Sequence, residues 1–303
     1  MTTLSDSAPQ QPDDRLFNEV FLRKLERLSL ICRRARAGQI KGERRSPKRG
    51  QSVEFADYRN YTPGDDFRQI DWNVYARLER FFLKLFVEEE DLTVHLLVDT
   101  SRSMDWGQPS KLRQAQRAAG ALGYIALTGL DRVTATGFDH GLGQVFLPHR
   151  GRQQALALFD FLSGLQPGAT TDLTASLRHY AASATRVGPL LLISDLFDPG
   201  WQEGLRALVA RRFEVTVLHV LAPDEVKPPL EGDLRLIDAE TSEGCEITAD
   251  YATLRRYEEN LAAWREELRT FCGQRGINYA FVETSLPLEE LLFALLRRRG
   301  VLK

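Results

Sequence analysis

LTVHLLVDTSRSMDW, residues 92–106, begins as an apolar run and ends in an acid and two hydroxyls at alternate positions. A run this short and this apolar reads as a strand buried on both faces, the kind found in parallel sheets. Alternate side chains of an extended chain share a face, so Asp99, Ser101 and Ser103 converge where the strand ends. Capping the next helix would need only one of them. The spacing raises the question of what holds an acid and two hydroxyls at one strand end.

Downstream, strand and helix alternate. A helix over KLRQAQRAAGALGYIALTGL (111–130) is followed by the strands VTATGF and QVFLP. Helices are predicted over 153–165 and 172–185, a strand over PLLLIS (189–194), a helix near 201–211 and a strand over FEVTVLHVL (213–221). A hairpin-like stretch (234–249), a long helix near 251–275 and the strand NYAFVET (278–284) complete the series. This order predicts an α/β fold: a Rossmann-like, mostly parallel sheet with helices on both faces, spanning residues 91–284. SLPLEELLFALLRRRG, within 285–303, reads as a short amphipathic helix with a basic end that docks on the core.

Upstream, residues 1–14 read as a disordered tail and 15–90 as an irregular N-terminal region. A helical spacing of Leu16, Val20, Leu25, Leu28 and Ile31 opens it. Between Arg33 and Arg49 eight Lys/Arg face the single Glu43, with no aromatic side chains for base stacking, which favours a solvated or acid-docking face. Thr62-Pro63-Gly64-Asp65 reads as a tight turn. Asp65/Arg68 and Asp71/Arg77 are read as buried pairs, with Pro63-Gly64 and Trp72 as scaffold. RFFLKLFV is a strand that runs into four acids, 88–91.

Composition narrows the function. The 303 residues can bury a sizeable core, and a net charge of -2 argues against a general nucleic-acid coat. Cys32, Cys245 and Cys272 have no paired spacing that would suggest a disulfide framework or a zinc site. The polar, acidic start is unlike a signal peptide, and no apolar stretch is long enough for a spanning helix, so a soluble, cytoplasmic protein is expected. There is no H-E-x-x-H, G-x-S-x-G or Walker A sequence, and the five histidines are scattered. A non-enzymatic role is the expectation.

In an open α/β sheet, ligands sit at the carboxyl ends of the strands. Three loops there carry oxygen groups: Asp99 with Ser101 and Ser103; PGATTDLT (167–174) with Thr170, Thr171 and Asp172; and Ser194-Asp195 after PLLLI. An all-oxygen set with two carboxylates suits a hard divalent ion such as Mg²⁺. The plainer reading, that Ser101 or Ser103 only caps the helix beginning near Ser110, leaves Asp99 and Asp195 unpaired at one sheet edge.

DTSRS, the Thr171 loop and the Asp195 strand end resemble the metal-ion-dependent adhesion site of von Willebrand factor A-like domains. The block YRNYTPGDDFRQIDWNVYARLERFFLKLFVEEE resembles the signature of the bacterial family known as domain of unknown function 58. Together they cover residues from about 40 to 283. The resemblance implies hydroxyl ligands from Ser101, Ser103 and Thr171, with Asp99 and Asp195 bonding directly or through water, and Mg²⁺ (or Mn²⁺ or Ca²⁺) as the ion. Thr170 competes for the Thr171 role. Many A-like domains carry Gly after the last Asp, where this chain has Leu196.

The expected function is a metal-ion-dependent protein–protein interaction module whose ion is completed by a Glu or Asp of a partner. The resemblance implies that the partner is a MoxR-type AAA+ ATPase and that the protein is an adaptor or chaperone-like factor in assembling or activating protein complexes. The rival is a metal-dependent phosphoester hydrolase using the same ion, with Asp172, Asp105 or Asp198 as its base.

Overall fold

The computed structural model describes residues 16–30, 54–62, 65, 67, 70–87, 92–168, 170–238, 244–297 and 300–303. The tail 1–14, Ile31, the basic segment 33–49, Pro63-Gly64, Arg68 and the acids 88–91 lie outside the described residues. The chain forms two compact units: Arg33–Asp91, and Met1–Cys32 together with Leu92–Lys303.

Helix α1 (Glu19–Leu25) starts where Asn18 caps it, accepting a 2.8 Å bond from the Phe21 amide. Phe21 and Leu25 form its buried stripe at four-residue spacing, with Phe17 buried just before the cap, whereas Val20 is 68% exposed. The expected stripe through Val20 is thus corrected. Two phenylalanines bury more apolar surface than one valine, and they set the rotation of a helix only seven residues long. Phe17 stacks on Phe21 and meets the ring of Phe159 edge-on. This segment therefore belongs to the larger unit, not with the signature block.

In the smaller unit, β1 (Glu54–Asn60) precedes helix α2 (Trp72–Leu78) and pairs antiparallel with β2 (Phe82–Val87), the strand expected from RFFLKLFV. The Asp65 amide donates to Thr62 O at 3.0 Å, closing the predicted turn. Asp65 pairs with Arg59 at 2.8 Å, and its carboxyl is held down to about 2 by the Thr62 amide, then by Arg59 and the Thr62 hydroxyl. Asp71 caps α2, accepting from the Asn73 and Val74 amides, and its second oxygen accepts from the Tyr58 hydroxyl. Trp72, read as scaffold, is 58% exposed and meets the rings of Tyr75 and Phe81 edge-on.

The larger unit is a mixed α/β fold around a six-stranded, mostly parallel sheet. Its chain order is β3 (Thr93–Asp99), α3 (Lys111–Thr128), β4 (Arg132–Phe138), β5 (Leu142–Arg150), α4 (Ala155–Ser163) and α5 (Leu173–Ser183). There follow β6 (Pro189–Ser194), α6 (Trp201–Ala210), β7 (Glu214–Leu221) and the short α7 (Pro223–Val226). The hairpin β8 (Gly232–Ile237) and β9 (Gly244–Ala249), α8 (Tyr251–Gln274) and β10 (Asn278–Glu283) come last. In space the strands run β10-β7-β6-β3-β4-β5, all parallel except for the edge strand β5.

Alternation along β3 shows how the sheet is covered. Leu96 and Val98 enter one apolar core with α1, α3 and α4, while Leu97 enters the opposite one with α5, α6 and α8. Burying each such leucine stabilises the fold by about 1.5–3 kcal/mol. The C-terminal segment docks as expected through Leu288, Leu291, Leu292 and Leu296, although Leu291–Leu296 winds as a π-helix. Leu30 and Leu302 form an antiparallel bridge. Among the described residues no helix is long and apolar enough to cross a membrane.

Candidate functional site

The strand order reverses between β3 and β6. From β3 the chain moves outward to β4 and β5, and from β6 it moves the other way to β7 and β10. Such a switch point opens a crevice at the carboxyl ends of the two central strands. Val98 lies beside Ile193 in the register, so Asp99 and Ser194-Asp195 leave the sheet side by side.

The side chains are joined in one network. The Ser101 amide donates to Asp99 Oδ1 at 2.9 Å, and the Ser194 hydroxyl donates to Asp99 Oδ2 at 2.6 Å. The Ser101 and Ser103 hydroxyls lie 3.1 Å apart, and Ser103 donates to Asp195 Oδ2 at 2.8 Å. Asp99, Ser101 and Asp195 are all buried. Burial first, and then the charge of Asp195, push the Asp99 carboxyl up to about 7, against the hydrogen bonds from Ser194 and Ser101.

The Thr171 loop is tied to the same edge by its backbone. The Gly168 amide donates to Thr100 O at 2.6 Å and the Asp172 amide to Asp139 O at 3.2 Å. Thr171 is half-buried and Thr170 exposed. Leu196, at the position where many A-like domains carry glycine, adopts φ 58 while its side chain is buried. The loop thus keeps a left-handed turn without the residue that enters it freely.

Sequence reasoning missed two charged members. Lys111 Nζ is wholly buried, 2.7 Å from Asp195 Oδ2 and 2.5 Å from Glu225 Oε1. Glu225 Oε2 accepts from the Ala222 amide at 2.7 Å, and burial raises its carboxyl above the usual range despite Lys111. A signal for Lys111 was present: a lysine at the first position of a helix stands at the end that disfavours cations. Nothing comparable marks Glu225.

The donor set suits a hard cation. It is all oxygen, and two carboxylates, Asp99 and Asp195, lie buried within it. Among the described residues no three His, Cys, Asp or Glu side chains gather as a ligand group, so any ion here would depend on the hydroxyls. Two acids named as bases for hydrolysis are occupied: Asp172 accepts from the Ala175 amide, and Asp198 accepts from the Leu173 and Gly200 amides. Asp105 is exposed.

Comparison with known proteins follows the same chain. An uncharacterized Mycobacterium tuberculosis protein, Rv1480, is 30% identical over 288 residues, 92% of this chain and 90% of its own length. Its Mycobacterium bovis counterpart, Mb1516, matches to the same extent. An aerotolerance-related membrane protein from Bacteroides fragilis aligns with a TM-score of 0.45 at 18% identity, over 69% of this chain and 98% of that one. The conserved hypothetical protein BatB from Bacteroides thetaiotaomicron gives 0.42 at 15%, with the same coverage. The family profile described as protein of unknown function DUF58 matches residues 57–267. The match takes in the signature block and every strand of the central sheet except β10, and the chain belongs to the DUF58 family.

Proposed function

We propose that the protein is a metal-ion-dependent protein-binding module of von Willebrand factor A-like type. The observation that carries this reading is the pair Asp99 and Asp195, buried side by side at the switch point and linked through Ser101, Ser103 and Ser194. Asp99, Ser101, Ser103, Thr171 and Asp195 would hold the ion, with Mg²⁺ or Mn²⁺ as the natural choices for such oxygens. A bound ion supplies a positive centre with a coordination position open to an outside carboxylate. The chain's own residues orient that centre and exclude water from its inner side.

The partner's contribution would be a Glu or Asp side chain. The partner we favour is a MoxR-type AAA+ ATPase, with the protein serving as its adaptor in assembling or activating other complexes. Binding rather than catalysis is supported by Asp198, both of whose oxygens accept from backbone amides, and by Asp172, which is used as the cap of α5.

Titration calorimetry with Mg²⁺ and Mn²⁺ on the wild type and Asp99→Ala, followed by co-purification with the ATPase with and without chelator, tests this. Saturable binding by the wild type alone, and partner capture lost in chelator, are expected. Equal ion binding by the two proteins would remove the site. Capture that ignores the chelator would remove the mechanism.

A further inference from the structure

Lys111 lies inside this network but is outside the oxygen set just described. Its ammonium touches Asp195 Oδ2, the atom that also accepts from Ser103, and it touches Glu225 at the start of the segment after β7. The Phe197 ring lies 5.3 Å from Lys111 Nζ and stacks on Trp264. A fully buried ammonium persists only where acids compensate it, and here one of the two acids is a member of the ion-binding set.

We infer that Lys111 is a built-in cation that competes with the divalent ion for Asp195, and that Glu225 sets the balance by drawing the ammonium away. The inference rests on the metal-binding reading above. With Lys111 present, the charge that Asp195 offers an incoming ion is already partly neutralised, so the site holds metal weakly until an outside carboxylate joins it. Removing the ammonium leaves Asp99, Asp195 and Glu225 without a nearby positive charge. Removing the Glu225 charge commits Lys111 wholly to Asp195. The two changes therefore shift metal affinity in opposite directions.

The test is calorimetric titration of the full chain with Mn²⁺ alone, on the wild type, Lys111→Met and Glu225→Gln. At partly buried charge separations, a shift on the order of 10-fold is expected for each: tighter for Lys111→Met, weaker for Glu225→Gln. Thermal unfolding should show Lys111→Met less stable than the wild type in chelator, and raised more by Mn²⁺. A purely structural role for Lys111 would lower stability and weaken Mn²⁺ binding. Lys111→Met binding no tighter than the wild type, or Glu225→Gln binding no weaker, overturns the inference. If Lys111→Met does not fold, Glu225→Gln decides. A folded wild type that takes up no Mn²⁺ defeats the metal-binding reading itself, a result separable from the variants' order.

Discussion

The Ser194 hydroxyl donates a 2.6 Å hydrogen bond to Asp99 Oδ2, so the last residue of one central strand steadies the last residue of its neighbour. The Ser194 hydroxyl oxygen in turn accepts from the Leu196 amide at 2.9 Å, which ties the left-handed turn to the pair. Ser194→Ala deletes both contacts. Hydrogen bonds to charged groups contribute about 1.5–3 kcal/mol, and a loss of that size is expected in urea unfolding at pH 8. The Asp99 carboxyl should also move above about 7, because the Ser194 bond is one of the forces that lower it. An unchanged unfolding midpoint would show that the bond is dispensable.

Leu196 combines a positive φ with complete side-chain burial, and the two features oppose each other on substitution. Leu196→Gly relieves about 1–2 kcal/mol of backbone cost. It also removes a packed leucine, worth about 2–5 kcal/mol when truncated. The expected result is a net destabilisation of about 1–3 kcal/mol by chemical unfolding. A stabilised variant would mean that the turn, not the packing, governs this position.

His95 gives the larger unit a dependence on acid. Burial holds its imidazole down to about 4, and its Nδ1 lies 2.7 Å from the Tyr180 hydroxyl. In the unfolded chain the ring takes its proton near pH 6.5. Between about 6.5 and 4 the unfolded state therefore binds more protons, and stability falls as pH falls; above that window the contribution is complete. From pH 7.5 to 4 the advantage of wild type over His95→Gln should shrink by about 3 kcal/mol. Parallel pH profiles for the two proteins would refute the assignment.

Two helix glycines should respond in opposite ways. A Cβ on Gly123 of α3 would lie 2.5 Å from Leu158 Cδ2 and 3.1 Å from Leu96 Cδ1, whereas one on Gly273 of α8 meets nothing within 4 Å. Overpacking costs about 1–3 kcal/mol, and helix propensity returns up to about 1 kcal/mol. Gly123→Ala should therefore lower the melting temperature and Gly273→Ala raise it. The same sign for both would show that propensity alone decides.

What the sequence made legible follows from distance along the chain. Apolar runs such as PLLLIS and FEVTVLHVL are local and strong, and each became a buried strand of the central sheet. The polar residues at the ends of β3 and β6 were visible as departures from those runs, and the structure brings Asp99, Ser101, Ser103 and Asp195 together. The odd place of Lys111 at a helix start was legible, but its partners were not, and neither was Glu225. Their meaning comes from a contact between residues far apart in sequence, and one charge on a helix end gives no hint of its partner. Val20 failed for another reason: spacing says which residues share a face, but not which face wins when aromatic rings compete. Phe17 and Phe21 won there.

The bridge between Leu30 and Leu302, together with the packing of Phe17 on Phe159, makes the larger unit discontinuous in sequence, with Arg33–Asp91 inserted between its parts. During synthesis, residues 16–30 leave the ribosome well before the sheet they cover exists. Until then, Leu16, Phe17, Phe21 and Leu25 have no core to enter, and their docking waits for contacts of long sequence separation, which close slowly. The nascent chain thus carries an exposed apolar segment through most of its translation, and its safe folding depends on how that segment is shielded in the interval.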